Sequence, residues 1–432
     1  MTSTARPSMS IRHSNQTRTQ IMNRRDVVKS AALALPYIAA PTVRGANDRA
    51  ILGFVGVGNR ARWMLKHEDF GVGRIVAMAD INPASMQLAA EVHPDGPKWT
   101  RYADYRKMLE KEKLDGVFVE TPTHARVLIC LHAVMAGVDV YAEKPLSLTV
   151  EEGQVLTRAV RKYKRILQTG TQQRSMPINI YASELVASGK FGKIEKVIVC
   201  NFLGPERWTE QPGQPVPEGL DWDQWCNQTP LRPYHVQLHR GWMKWWDYDG
   251  GGQSWGISGW GTHSLDQVQA ALGTSLTGPV EITPVEPGPN GKLAYRYANG
   301  TVVSLEEPKI DNHDQLGARF LGTNGSIQII RGDFRTDRED LKRGAPDVIK
   351  EGPGENAWHL KNFIDCIKTR KKPNADVEIA HRSTTICHLL NICRDLGRKL
   401  EWDPVAERFP KDEEANQLLA RTRRKGYELP KV

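Results

Sequence analysis

The sequence predicts an α/β protein, in which a doubly wound parallel sheet is followed by an α+β domain with a mainly antiparallel sheet. Between residues 49 and 170, short apolar strands alternate with helical stretches. That alternation is typical of βαβ units, whose parallel sheet is covered on both faces. After Gly170, β-like runs follow one another directly, and Asn299-Gly300 between two of them indicates a hairpin turn.

Apolar runs predict the strands of the first sheet at residues 51–55, 75–79, 116–119, 138–141 and 166–169. Helices are expected between them, including 125–136 and 150–164, and Thr149 begins a capping box for the second of these. A helix over 178–187 is expected to stop at Gly189. Later strands are predicted at 194–202, 293–297, 301–305, 318–321 and 326–330, and the residues from 356 onward are predicted to be helical.

These patterns divide the 432 residues into a leader over 1–46, a nucleotide-binding domain over 47–170 and a substrate and oligomerisation domain over 171–432. The leader contains Asn23-Arg24-Arg25-Asp26 followed by apolar and small residues, and it resembles a twin-arginine export signal. A disordered basic tail is the alternative. We expect a periplasmic protein with no membrane anchor after signal removal, because the apolar run is too short to span a bilayer.

The net charge of +9 does not indicate a nucleic-acid-binding protein. The first 46 residues carry seven basic side chains and one acidic side chain, so a net charge of only +3 remains for the rest of the chain. That balance predicts no phosphate-binding surface. The six cysteines show no C-x-x-C spacing, which predicts mostly buried thiols and no zinc site.

A glycine loop follows the first predicted strand and opens a helix. Gly56 permits a tight turn, Gly58 allows the backbone to approach a pyrophosphate, and the small Ala61 suits the contact between helix and strand. Asn59 and Arg60 begin the helix and are expected to lie beside the bound cofactor. The pattern predicts a dinucleotide-binding Rossmann domain, and a plain glycine turn is the alternative.

Further cofactor contacts are predicted at the ends of the next two strands. Asp80 can accept a hydrogen bond from a ribose hydroxyl, which favours NAD over NADP because a 2′-phosphate would be repelled. The neighbouring Arg60 and Arg62 keep NADP possible. Thr121, Pro122 and His124 follow the third predicted strand, at the edge where doubly wound sheets bind ligands. They are expected to border the cofactor; a capped helix start is the alternative, and both can hold.

The triplet Glu143-Lys144-Pro145 ends a later strand on the same edge of the sheet. A lysine beside a nicotinamide can hydrogen-bond a substrate hydroxyl and stabilise the alkoxide that develops there. With a lowered pKa it can also take part in proton transfer. Lys144 is therefore predicted to be catalytic and to contact the cofactor together with Glu143.

The glycine loop, Thr121-Pro122, the Glu143-Lys144-Pro145 triplet and the strand-rich second half resemble the glucose-fructose oxidoreductase, inositol dehydrogenase and rhizopine catabolism (Gfo/Idh/MocA) family. The resemblance covers roughly residues 48–420. It implies oxidation or reduction of a sugar or sugar derivative with NAD, in a homo-oligomer, either a dimer or a tetramer. Export to a compartment without a free nicotinamide pool predicts that the cofactor is tightly held. Some similar exported proteins are NAD-dependent glycosidases that act by transient oxidation at C3 and elimination, which is the alternative. A sugar-binding protein without activity is a third hypothesis.

In this family a motif of the form Asp-x-x-x-His-x-x-Asp supplies further active-site groups, and residues 259–266 align with it. The resemblance implies that His263 is a general acid or base and that Asp266 contacts the substrate. A helix-capping histidine is the alternative for His263. Gly259 stands where the family has its first aspartate, which favours something other than the standard reaction.

Seven of the twelve tryptophans fall between residues 222 and 260. Their rings can line a carbohydrate pocket or pack the long irregular segment, and the sequence leaves both open. Trp260 and Tyr234 are predicted to bind substrate in this segment. Gln172 and Arg174, at the start of the second domain, are predicted to face the same cleft.

His235 and His239 have the i, i+4 spacing of a metal-binding pair. The surrounding prolines argue against a helix at this place, and no acidic partner is evident. No metal is therefore expected.

Overall fold

The computed structural model describes residues 49–71, 73–253, 255–306, 316–346 and 356–432, and all of them belong to one compact unit. The predicted leader lies outside the described residues, so the export signal stays a prediction. Within the described ranges, every helix is too short or too polar to traverse a bilayer.

The first sheet has six parallel strands, which confirms the predicted doubly wound architecture. The strands are β1 Ala50–Val55, β2 Gly73–Ala79, β3 Thr100–Tyr102, β4 Gly116–Val119, β5 Asp139–Ala142 and β6 Leu167–Thr169. They lie side by side in the order β3-β2-β1-β4-β5-β6. The strand order reverses between β1 and β4, which is where ligands bind in such sheets. The short strand β3 was not predicted, because its three residues show no apolar run.

Helices cover both faces of this sheet: α1 Asn59–His67, α2 Pro83–Glu91, α3 Tyr105–Lys111, α4 Thr123–Met135 and α5 Val150–Lys162. The predicted cap of α5 is present, with the return bond from Glu152 reaching Leu148 instead of the N-cap residue Thr149. Thr149 Oγ1 accepts a hydrogen bond from the backbone N–H of Glu152 at 3.2 Å, and Glu152 Oε2 accepts one from the N–H of Leu148 at 2.7 Å. Helix α1 differs, because its N-cap is Gly58 and no side chain bonds its first turn.

The second sheet has eight strands, and all its neighbouring pairs are antiparallel except β7 with β10. The strands are β7 Ile194–Cys200, β8 Glu281–Pro284, β9 Leu293–Arg296, β10 Val302–Glu306, β11 Ala318–Gly322, β12 Gly325–Ile330, β13 Asp333–Thr336 and β14 Leu400–Glu401. Their spatial order is β13-β12-β11-β7-β10-β9-β8-β14. The mainly antiparallel sheet predicted from the sequence is thus confirmed.

Seven further α-helices lie in the described part of the second half: α6 Pro177–Ala187, α7 Trp222–Cys226, α8 Val236–Gly241, α9 Thr262–Ala271, α10 Ala357–Thr369, α11 Val377–Leu396 and α12 Glu413–Gln417. Helix α8 corrects the expectation that prolines exclude a helix near His235. The prolines precede it, and His235 caps it by accepting a hydrogen bond from the backbone N–H of Gln237.

The C-terminal helices return to the first sheet. Leu360 and Phe363 of α10 share a buried core with Phe54 of β1, and Val377 of α11 shares another with Val117 of β4. Residues from the C-terminal helices therefore complete the core of the nucleotide-binding domain. The domain boundary expected at residue 170 assigns those helices to the second domain alone. All six cysteines are buried free thiols.

Candidate active site

The glycine loop has the geometry that its sequence predicts. Gly56 has a φ of 80°, and a Cβ there would lie 2.8 Å from Thr121 Cγ2, so position 56 requires glycine. A Cβ at Gly58 would meet no atom within 4 Å, which leaves open space beside the N-terminus of α1. A pyrophosphate suits this place, because the backbone N–H groups of the first turn have no side-chain cap.

Asp80 lies directly against this loop. Its Oδ2 accepts a hydrogen bond from the backbone N–H of Val57, and its Oδ1 accepts one from Asn82, both at 2.8 Å. Burial raises the pKa of Asp80. Each carboxylate oxygen keeps a second lone pair, so the group can still accept from a ribose hydroxyl. The loop and Asp80 together fit NAD.

Two carboxyl groups meet at the ends of β4 and β5. Arg60 Nε donates to Glu143 Oε1 at 2.8 Å. Burial favours a high pKa for Glu143, but Arg60 and Lys144 outweigh it and lower the net pKa. Burial and the neighbouring Glu143 raise the pKa of Glu120 well above its usual range. Of the two carboxyl groups, Glu143 is therefore the ionised one and Glu120 the protonated one. Glu120 was not predicted as a site residue, although it directly precedes Thr121 at the end of a predicted strand.

Lys144 is half-buried between the two halves of the site. Its Nζ donates a hydrogen bond to the backbone oxygen of Gly259 at 3.2 Å. Burial lowers the pKa of Lys144; Glu143 and Asp249 oppose this effect, and Arg126 adds to it. With the net pKa lowered, the ammonium gives up its proton more readily than a lysine in water.

His263 enters the same site from helix α9. A π-helical turn at Ile257–Gly261 precedes this helix, a feature frequent at functional sites. Burial, Arg331 and Lys144 lower the pKa of His263 well below its usual range, so the imidazole is neutral at neutral pH. Arg331 Nη2 lies 3.3 Å from His263 Nδ1 and 3.2 Å from Gln172 Oε1. Arg331, which follows β12, had no motif to reveal it in the sequence.

The predicted substrate contacts Arg174 and Asp266 are bound to each other. Arg174 Nε donates to Asp266 Oδ2 at 2.8 Å, and its Nη2 donates to Oδ1 at 2.7 Å. Ser383 Oγ adds a third hydrogen bond to Oδ1 at 2.6 Å. Both charges are thus satisfied within the protein, so the pair holds α9 in place.

Tyr234, His124 and Trp260 also make packing contacts. Tyr234 is buried, and its hydroxyl lies 3.3 Å from His239 Nδ1. His124 Nε2 lies 2.7 Å from the backbone oxygen of Trp225, and burial lowers the pKa of His124 to about 4. Trp260 packs on Trp255, with ring centroids 4.6 Å apart. These contacts anchor the irregular segment, and the roles predicted for the three side chains toward cofactor and substrate stay predictions.

Gly259 occupies a place that admits no side chain. A Cβ there would lie 2.0 Å from the backbone oxygen of Gln253 and 2.9 Å from that of Gly252. The family's aspartate is therefore sterically excluded. Asp249 is fully buried and is close enough to alter the pKa of Lys144. It was not predicted from the sequence, although an aspartate directly before three glycines is a visible signal.

In the described ranges, no three His, Cys, Asp or Glu side chains are arranged to hold a metal ion.

Two family models match this chain. One, for the oxidoreductase family NAD-binding Rossmann fold, matches residues 50–171, and the other, for the oxidoreductase family C-terminal alpha/beta domain, matches residues 181–429. The chain therefore belongs to the Gfo/Idh/MocA oxidoreductase family and carries an NAD-binding domain. These matches confirm the family, the oxidoreductase class and the cofactor that the sequence predicted.

Individual proteins show the same relationship. The levoglucosan dehydrogenase of Pseudarthrobacter phenanthrenivorans is 26% identical over 310 residues, which is 66% of this chain and 74% of that protein. A glycosyl hydrolase family 109 protein of Stenotrophomonas maltophilia is 26% identical over 223 residues, 46% of this chain and 47% of that protein. The crystal structure of the WlbA dehydrogenase from Bordetella pertussis, in complex with NADH and UDP-GlcNAcA, covers 82% of this chain and 99% of its own, with a TM-score of 0.58 at 17% identity. That structural likeness shows the fold.

Proposed function

We propose that the protein is a sugar oxidoreductase that acts on a hydroxyl-bearing carbon of a sugar or sugar derivative. The observation that carries the proposal is that Lys144, from the first half, bonds the carbonyl of Gly259 in the turn that leads directly into the helix of His263. The pKa of each side chain is lower than the ordinary value for its residue type, and the charge of Lys144 contributes to the lowered pKa of His263. Such a pair is suited to moving a hydroxyl proton. The levoglucosan dehydrogenase relative supports a carbohydrate substrate.

The glycine loop and Asp80 would hold NAD, which would supply the hydride acceptor for oxidation of the substrate carbon and, when reduced, the hydride donor for the reverse reaction. During oxidation, the amine of Lys144 accepts the hydroxyl proton, and during reduction it returns that proton. The backbone oxygen of Gly259 keeps Nζ in position for this exchange. His263 is neutral, so it can accept a hydrogen bond from the hydroxyl and orient it.

Replacement of Lys144 by methionine tests this mechanism. We expect Lys144→Met to lower kcat by about 10²–10⁴-fold, the usual contribution of a proton-transfer group. Bound NAD should be retained, as measured by releasing and quantifying the nucleotide after denaturation. Lys98→Met is the control, because that side chain is 78% exposed and forms a surface ion pair with Asp95. Full activity of Lys144→Met on screened sugars and polyols would reject the mechanism.

A glycosidase is the second candidate, for two reasons: the family 109 glycosyl hydrolase relative and Gly259 in place of the family's carboxylate. In this reaction, oxidation at C3 acidifies the proton on C2, the aglycone is eliminated, water adds, and the ketone is reduced again. Aryl glycosides offered without added cofactor distinguish the two functions. Release of free sugar supports the glycosidase, and hydroxyl oxidation without release supports the oxidoreductase.

We also propose that the protein is exported to the periplasm with its cofactor already bound. The pattern around Arg24-Arg25 supports export of a folded protein. No free nicotinamide pool is expected in that compartment, so a retained cofactor suits it. Arg24→Lys with Arg25→Lys should hold the protein in the cytoplasm in a fractionation experiment. Unchanged export would reject the twin-arginine signal.

A homo-oligomer, dimer or tetramer, is proposed from the family resemblance. The outward face of the second sheet supports it, because Ile198, Val302 and Leu321 are apolar side chains that stay partly exposed there. Light scattering coupled to size exclusion tests the proposal. A monomer at micromolar concentration would reject it.

A further inference from the structure

We propose that Asp249, carried by the irregular segment, replaces the carboxylate that is missing at Gly259 and positions Lys144 and its charge. This inference rests on the proposed function, because it assigns a role at the same site. Asp249 acts through Lys144 and is therefore a positioning residue.

The first step is the exclusion of a carboxylate at position 259. The backbone of residues 251–253 packs directly on the π-helical turn: Ser258 N–H donates to the oxygen of Gly251 at 3.1 Å, and Gly256 N–H donates to that of Gln253 at 2.7 Å. A side chain at Gly259 would overlap this backbone. What position 259 offers Lys144 instead is its carbonyl oxygen.

The second step is the place of Asp249 itself. Its backbone N–H donates to the oxygen of Trp245 at 2.9 Å, which fixes the start of the glycine run. A Cβ at Gly252 would lie 2.7 Å from Asp249 Oδ1, and the oxygen of Gly252 would lie 2.9 Å from a Cβ at Gly259. The carboxylate therefore lies beside the backbone that fills the family's aspartate position, and glycine at 252 makes room for it.

The third step concerns the two oxygens of Asp249. Oδ2 accepts a hydrogen bond from Thr123 Oγ1 at 2.5 Å, and Arg126 Nη1 donates to the same Thr123 oxygen at 3.2 Å. Oδ1 is buried and has no hydrogen-bond partner in the described part of the chain. A buried carboxylate oxygen of this kind needs a compensating charge. Lys144 supplies a cation here, because its Nζ bonds the carbonyl of Gly259, which packs on the same Gly252 backbone that Asp249 adjoins, and its charge acts on Asp249.

The charged groups around Lys144 and Asp249 determine how the loss of Asp249 changes the pKa of Lys144. Besides burial, the groups that act on Lys144 are Glu143, Asp249, Arg126 and Arg60. Burial raises the pKa of Asp249, and the hydrogen bond from Thr123, the charges of Arg126 and Lys144 and the backbone N–H of Gly250 oppose that rise. Burial lowers the pKa of Lys144, and Asp249 is one of two carboxylates that raise it again. Loss of the Asp249 charge therefore makes Lys144 a weaker base.

Asp249→Asn tests the proposal, with Asp247→Asn as the matched control. Asp247 lies two residues away, is half-buried and pairs with Arg232 at 2.7 Å. Labelling of Lys144 by acetic anhydride is followed against pH by peptide mass spectrometry. We expect the labelling midpoint of Lys144 to move to lower pH by about one unit in Asp249→Asn, as for loss of a nearby opposite charge. It should stay unchanged in Asp247→Asn.

Two further variants keep the result interpretable. Asp249→Ser removes the charge with a smaller polar side chain and serves if the asparagine variant does not fold. Asp249→Glu keeps the charge, and we expect its labelling midpoint to lie close to the wild-type value. A wild-type midpoint in either folded neutral variant would overturn the proposal.

The labelling experiment uses no substrate, so the two proposals can fail separately. A shifted midpoint in a protein that oxidises no sugar supports the placement of Asp249 and rejects the proposed function. Sugar oxidation with an unmoved midpoint rejects the role of Asp249 alone. Where turnover is measurable, the limb of the kcat profile that belongs to Lys144 should move to lower pH together with the labelling midpoint.

Discussion

The ion pair between Arg174 and Asp266 allows a sharp test of structure against function. The sequence predicts both side chains as substrate contacts, whereas the structure joins them by two hydrogen bonds of 2.7 and 2.8 Å. Their side chains are only 9% and 2% exposed. We therefore expect Asp266→Ala to reduce stability before it affects substrate binding.

The magnitude follows from burial. Asp266→Ala leaves the guanidinium of Arg174 buried without its carboxylate, and breaking a buried pair in this way costs about 3–5 kcal/mol. Arg408 and Glu413 provide the comparison, because their side chains are 56% and 77% exposed. An exposed pair of this kind contributes about 0–1 kcal/mol. Glu413→Ala should therefore be nearly neutral.

Urea unfolding followed by tryptophan fluorescence measures the difference. The double variant Arg174→Met with Asp266→Leu should recover part of the loss, because it removes the uncompensated charge. The reasoning would be refuted by Asp266→Ala with an unchanged free energy of unfolding and a raised KM for the sugar. That result would make Asp266 a substrate contact.

Three further changes are predicted. Gly259→Asp should lower the melting temperature and cost about 1–3 kcal/mol through overpacking, because its Cβ would lie 2.0 Å from the oxygen of Gln253; Gly241→Ala, where a Cβ meets no atom within 4 Å, is the control. Glu120→Gln should make the free energy of unfolding fall less steeply with rising pH than it does in the wild type. The raised folded-state pKa of Glu120 means that the unfolded chain releases this proton first, so stability falls above the ordinary carboxyl pKa. Thr149→Ala should cost about 1 kcal/mol through loss of the α5 cap, measured by urea unfolding.

Each of these has a contrary outcome. A Gly259→Asp protein as stable as Gly241→Ala would mean that the 252–259 backbone yields easily. Identical pH profiles of melting temperature for Glu120→Gln and the wild type would mean that Glu120 is ionised in the folded protein. Thr149→Ala without any loss would mean that the remaining first-turn contacts suffice for α5.

Much of the fold could be predicted because its signals are local. The strands β1, β4 and β5 stand out as short, nearly continuous apolar runs, and the capping contacts of α5 lie within four residues of each other. Edge strands such as β3 and β14 lack that signal, since they have few residues and pair on one side. Helix α8 was missed because the prolines before it were read as breakers, whereas the His235 side chain caps it.

The sequence by itself determined the family and its NAD-binding domain, and it placed Gly56, Asp80 and Lys144 at one edge of the first sheet. A glycine turn, a carboxylate at a strand end and a lysine that follows a strand are set by local backbone geometry. Only the tertiary structure decided how the remaining charges are used. Arg174 and Asp266 are 92 residues apart and neutralise each other, and Asp249 binds Thr123 across 126 residues. The physical reason is that a buried charge must find its partner in space, wherever the chain brings one.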